Sequence, residues 1–223
     1  MKDNKVKLVE HKTFTKKELL LIKKLNTPAK IQDFLNNLSF NFEESGIETL
    51  KSPLLVLRTG NAHCFEGALL GAYILSTHDY PPLVMYHLPT KDDVAHAVAL
   101  FKKDGLWGAL SKTNHSVLRY REPVYKTIRE LTMSYFHEYF IASGKKTLRQ
   151  YSKPLNLNIF KNKNWPTSSE DLWYIDKKLD SIKHYDVAPK KTIKNFRKAD
   201  KIELDVVKIV EYKKPKPKKI CKQ

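Results

Sequence analysis

The chain has 223 residues, 41% of them apolar, and a formal net charge of +17 at neutral pH, which suits one moderate domain with extensions, or two small ones, built on a real core. No apolar run approaches the roughly 20 residues that cross a bilayer, the Lys-rich start has no apolar stretch behind its charges, and two cysteines make no disulfide framework. A soluble, cytoplasmic protein of a reducing compartment is expected.

Phe14-Thr15-Lys16-Lys17-Glu18, followed by Leu19 to Ile22, predicts an amphipathic helix ending near Asn26, with Thr15 as N-cap and Glu18 at the capping-box position. Thr27-Pro28 restarts a helix whose apolar face is Ile31, Phe34, Leu35 and Leu38. Residues 40–53 read as loop with one helical turn, and Leu54 to Leu57 as a short buried run. A polar loop, Arg58 to His63, then turns into a run in which Phe65, Ala68, Leu69, Ala72, Tyr73 and Leu75 recur at helical steps. Cys64 therefore stands in the first turn of a buried helix. Pro81-Pro82 closes that region. Strands are predicted over 83–88, 94–101 and 106–110, the last two joined by an Asp104-Gly105 hairpin, and the second apolar enough to be covered on both faces. A long helix from Val124 to about Ala142 with Gly144 as its stop follows, then an edge strand over 155–160. A helix from Pro166 to Ile182 and a strand from Ile202 to Tyr212 complete the pattern.

The fold class is α+β. The expected organisation is a basic helical extension (1–26), a core (27–160), a C-terminal α/β extension (161–212) and a disordered Lys/Pro tail (213–223). Charge is concentrated at the ends, with +5 in residues 1–26 and +8 in residues 186–223. Such ends suit solvated elements and can contact nucleic acid or an anionic surface. The tail lacks the arginine and aromatic interleaving of a base reader.

A thiol at a helix start feels the positive end of the helix dipole and unpaired N–H groups, both of which favour thiolate; the same N–H groups can hold an oxyanion. The alternative for Cys64 is a small buried hydrophobe. A nucleophile needs a base, and His96, in mid-strand among Ala and Val, is the leading candidate; its alternative is a satisfied core histidine. His63 reads as a rim residue. Arg58 and Asn61, just before the helix, are candidate donors to an oxyanion or a substrate carboxylate, with loop hydrogen bonding as the alternative. His63, Cys64, His87 and His96 are metal-ligand types without ligand spacing, so neither a metal nor a cofactor is expected.

From Leu54 to Thr113 the order of residues resembles the transglutaminase-like superfamily, a branch of the papain-like cysteine fold. Gly60, Cys64, Glu66, Ala68, Leu69-Leu70, Tyr80-Pro81, His96-Ala97-Val98, Gly105 and Trp107 follow that family's pattern in order. The resemblance implies a Cys-bearing helix packed on an antiparallel sheet, with Cys64 as nucleophile, His96 as base and Trp107 at the site. It also implies a peptide, amide or acyl substrate that undergoes hydrolysis or acyl transfer. One position departs from the pattern: the family's Asp, four residues after the Trp, is Ser111 here. Serine can accept the imidazole N–H bond but adds no charge to stabilise imidazolium. Asn114 is the other candidate to orient His96, as in Cys-His-Asn sites. Beside the enzyme stands a second reading, a weakened scaffold that binds nucleic acid or an acidic partner through its basic ends.

Overall fold

The structure, a computed structural model, describes residues 13–43 and 46–214. Residues 1–12, Cys221 and the tail from 215 onward lie outside the described residues. The predicted capping box opens α1 (Lys16–Lys24): Thr15 Oγ1 accepts the Glu18 N–H, and the Glu18 carboxylate accepts the Thr15 N–H. Thr27 caps α2 (Pro28–Asn37) by accepting the Lys30 N–H, and β1 (Ser39–Phe40) follows. The short apolar run is helical, α3 (Pro53–Thr59), because Ser52 caps it and Pro53 takes its first position. Gly60 stops it in the left-handed region at φ 67°. Then β2 (Asn61–Ala62) pairs in parallel with β1, and α4 (Cys64–Ser76) begins. Ten of the thirteen residues of α4 are buried, which makes it a central helix rather than a surface one.

The main sheet contains β3 (Leu83–Pro89), β4 (His96–Lys103), β5 (Leu106–Leu110), β6 (Arg121–Tyr125), β7 (Leu148–Ser152), β8 (Leu155–Asn156) and β9 (His184–Asp186). Its order is β6-β5-β4-β3-β7-β9, with β8 also beside β3, and every pairing is antiparallel. Asp104 and Gly105 join β4 to β5 at φ 50° and 80°, the pair of positive φ values that a two-residue hairpin of this twist requires. Alternation along β4 divides the core: Ala97, Ala99 and Phe101 pack with α4 and its neighbours, while Val98 and Leu100 face Leu131, Tyr135 and Tyr139. The segments expected as extensions join these cores. Ile22 and Leu25 from the first helix, and Ile175 and Leu179 from the later helix Trp173–Ser181, share a cluster with α4, and β9 extends the sheet.

Several elements differ from the sequence reading. The long helix is only α5 (Ile128–Phe136), capped by Thr127, and Val124 lies in β6. There Pro123 is tolerated because β6 is an edge strand. The predicted strand 155–160 shortens to β8 and continues as a 3-10 helix (Leu157–Lys163). Pro166 belongs to a short 3-10 turn, and α6 (Trp173–Ser181) starts later. After α7 (Lys190–Ile193), the expected strand 202–212 is instead α8 (Lys201–Val206), where the Asp200 N–H donates to Glu203 Oε2 at 2.7 Å. Among the described residues no helix is long and apolar enough to cross a membrane.

Helix α4 lies close against the residues that follow β5 at Gly67, where an added Cβ would lie 2.4 Å from Lys112 Cβ. Gly67→Ala is expected to destabilise the protein by about 1–3 kcal/mol, the usual cost of overpacking, seen as a lower midpoint in thermal unfolding.

Candidate active site

The start of α4 is built around a buried carboxylate. Glu66, fully buried, accepts the His63 N–H (3.0 Å), the Lys51 N–H (3.1 Å), the Thr49 hydroxyl (2.8 Å) and the Asn41 amide (3.0 Å). Lys51 Nζ lies 3.6 Å away. A charge in that position is stable only because so many donors face it, and together they fix the loop that presents Cys64. His63 is the N-cap: its Nδ1 accepts the Phe65 N–H (3.2 Å) and its Nε2 donates to Thr49 O (2.9 Å). Burial pushes the His63 pKa down, and a Cys64 thiolate and Glu66 push it up further. These two bonds belong to the neutral ring; beside a Cys64 thiolate the pKa is raised to about 9, and Nδ1 of that imidazolium donates its proton to the sulfur in place of accepting the Phe65 N–H. Imidazolium at His63 would therefore cost the helix its cap.

Cys64 is partly exposed, and its Sγ lies 3.9 Å from Ala95 O. Burial raises its pKa, but the hydrogen bonds and charge offered by His63 and His96 outweigh that and hold the thiol well below its usual range. No protein acceptor among the described residues takes the Cys64 backbone N–H.

The orientation of His96 follows from one hydroxyl. Ser111 Oγ donates its single proton to Leu118 O (2.5 Å), so at 2.8 Å from His96 Nε2 it can only accept. His96 therefore carries its proton on Nε2, and the Nδ1 lone pair remains free to act as base. Ser111 is itself clamped by Gln32 of α2, whose Oε1 accepts the Ser111 N–H (2.9 Å) and whose Nε2 donates to Ser111 O (2.7 Å). Gln32 escaped the sequence reading. The signal was there: Pro28, Ile31, Gln32 and Leu35 form the buried stripe of α2, and Gln32 is its polar member. Ser111→Ala is expected to slow any reaction that needs this base by about tenfold, the worth of one hydrogen bond to a charged ring. Rate measurements on the variant and on Ser111→Asn, which restores an acceptor, test this.

Cys64 lies in the wall of two cavities. One, of about 370 Å³, is lined by His96, Asn114, Leu118 and Tyr139 among others. The second, of about 520 Å³, lies toward His63, Tyr86 and Trp173. Phe40, Val94 and Ala95 border both. The structure thus brings together Cys64, His96 and Ser111. It directs the other candidates elsewhere. The Asn114 side chain pairs with the backbone of Tyr212 through both its amide and its carbonyl, at 2.9 Å each, and does not orient His96. Arg58 reaches Glu18 (3.2 Å) and Thr13 O (3.1 Å). The Asn61 side chain and backbone carbonyls accept from Lys51 Nζ, and Trp107 lies under Lys102 without lining either cavity.

His87 is the cross-strand partner of His96. It is fully buried with its ring 4.8 Å from that of Tyr135, and neither ring nitrogen has a partner among the described residues. Burial, then the charges of His96 and Arg121, push its pKa far below the usual range, so it stays neutral and takes no proton from the site. Among the described residues, no group of three or more His, Cys, Asp or Glu is arranged to hold a metal ion. The arrangement places together a thiol, an imidazole bonded through Nε2, the hydroxyl that accepts from it and a backbone N–H with no protein acceptor among the described residues. No protein-family model matches the chain, and no curated protein matches it.

Proposed function

We propose that the protein is a transglutaminase-like cysteine enzyme acting on an amide or acyl bond. In this reading Cys64 passes its proton to His96 Nδ1, the thiolate so formed attacks the acyl carbonyl, and the resulting oxyanion is held by the Cys64 N–H. The intermediate collapses, the C–N or C–O bond breaks, and the leaving group takes a proton from His96 Nδ1. Water or an amine then adds to the thioester as His96 takes its proton back, and the thiolate departs. The observation that carries the reading is the hydroxyl of Ser111: it is committed as a donor to Leu118 O, which fixes His96 with its basic nitrogen free. The α+β architecture, with a Cys-bearing helix against an antiparallel sheet, supports a papain-like arrangement. A site kept only as a binding scaffold would have no need of a thiol pulled toward thiolate by two imidazoles.

The test is acyl-enzyme trapping. Mixed with p-nitrophenyl acetate, the protein is expected to release a burst of nitrophenol and gain one acetyl group on the Cys64 peptide by mass spectrometry. Hydroxylamine should remove it. Burst and adduct that persist unchanged in Cys64→Ala would sink the assignment.

A further inference from the structure

The cavity on the Trp173 side of Cys64 has a chemistry opposed to that of the rest of the chain. The protein carries 41 Lys and Arg against 24 Asp and Glu, yet this cavity gathers Glu43, Glu48 and Asp176 around the aromatic side chains of Phe40, Phe42 and Trp173. Glu48 is exposed, and Trp173 presents 37% of its surface to solvent. Asp176 is fixed by the Tyr86 hydroxyl at 2.5 Å, and Glu43 by the Thr49 N–H at 2.7 Å. Aromatic faces accept an aliphatic stem and attract a cation at its end, and carboxylates complete its charge. At about 520 Å³ the space is ample for one long side chain.

A lysine of this chain already reaches it. Val207 lines the cavity on the His96 side, and Lys214 lines this one. Between them Tyr212 is held at both backbone polar atoms by Asn114, and Glu211 is held by Arg119 at 2.5 Å and by the Asn114 carbonyl, which accepts its N–H at 2.9 Å. The C-terminal segment thus runs from one side of the thiol to the other.

We infer that the Trp173-side cavity recognises a lysine-type cationic side chain of the substrate next to the bond that Cys64 attacks, and that Lys214 competes for it. This rests on Cys64 being the nucleophile. The cationic group is recognised and not acylated, because an amine held protonated between carboxylates has no lone pair to attack a thioester.

The test uses the full chain carrying Cys221→Ser and two affinity labels, a lysyl chloromethyl ketone and its uncharged norleucyl analogue. The lysyl label is expected to inactivate Cys64 about tenfold faster at low concentration, the margin of one well-placed ionic contact. That preference should fall toward unity in Glu48→Gln/Asp176→Asn, and Lys214→Ala should speed the lysyl label by about threefold. Equal rates for the two labels, or a preference that survives the double substitution, would overturn the recognition site while leaving Cys64 as nucleophile. An unchanged lysyl rate in Lys214→Ala would overturn the competition. Failure of both labels to react would overturn the reading of Cys64 itself, and this inference with it.

Discussion

His96→Gln is expected to lower the rate of the acylation burst at pH 7 by about 10²- to 10⁴-fold, the usual contribution of a positioned acid-base group. Glutamine keeps most of the volume of a residue that is 6% exposed and can still donate to Ser111, so the fold should persist and circular dichroism should be unchanged. What is lost is the Nδ1 that takes the Cys64 proton, and with it the positive charge that then favours the thiolate. His63→Ala separates the two imidazoles that flank the sulfur. In its neutral form His63 spends both ring nitrogens on the loop, so its removal should cost about 1 kcal/mol of stability through the lost helix cap. Its burst rate should fall by less than that of His96→Gln. Equal losses in the two variants would show that His63 and His96 share the proton and that His96 is not the sole base.

The largest effect on stability is expected at Glu66. Glu66→Ala removes a fully buried carboxylate and strands Lys51, Thr49, Asn41 and the His63 N–H at once. Breaking a buried charged cluster from one side costs about 3–5 kcal/mol, and in a protein of this size that lowers the midpoint by roughly 6–20 °C. The reactivity of Cys64 should fall with it, because the same bonds fix the loop that starts α4. A midpoint within a degree or two of wild type would show that water replaces these bonds at little cost.

Local chemistry made part of this legible from the residues. Thr15 with Glu18, Thr27 with Pro28, and Asp104 with Gly105 each carry a complete instruction within two to four residues, and each element begins or turns where that instruction lies. The helical start at Cys64 was legible in the same way. The misread elements depend on distant partners. Tyr125 and Val124 continue the apolar spacing of α5 backwards, and only pairing with β5 at the sheet edge makes them strand. The Ile202 to Tyr212 run alternates well enough for a strand, yet Asp200 and Glu203 three residues apart are a capping signature that outweighs the alternation. In the site, Cys64, His96 and Ser111 were visible as residue types in order. Gln32 and Leu118, which fix Ser111, were not, because they meet it from 79 residues before and 7 residues after through contacts that no spacing encodes. Arg58, Asn61 and Asn114 were reasonable donors by position, but Glu18, Lys51 and Tyr212 engage them first.

The most direct test of the thiolate–imidazole pair is the pH dependence of Cys64 alkylation by iodoacetamide in the Cys221→Ser protein. A thiol pKa held well below the usual range means that the rate stands at its plateau at neutral pH and declines only as acid protonates the thiolate. In His96→Gln the titration should move up toward the free-thiol value of about 8.5. A wild-type rate that climbs through that free-thiol range, and is indifferent to His96, would contradict the pair and the catalytic reading built on it.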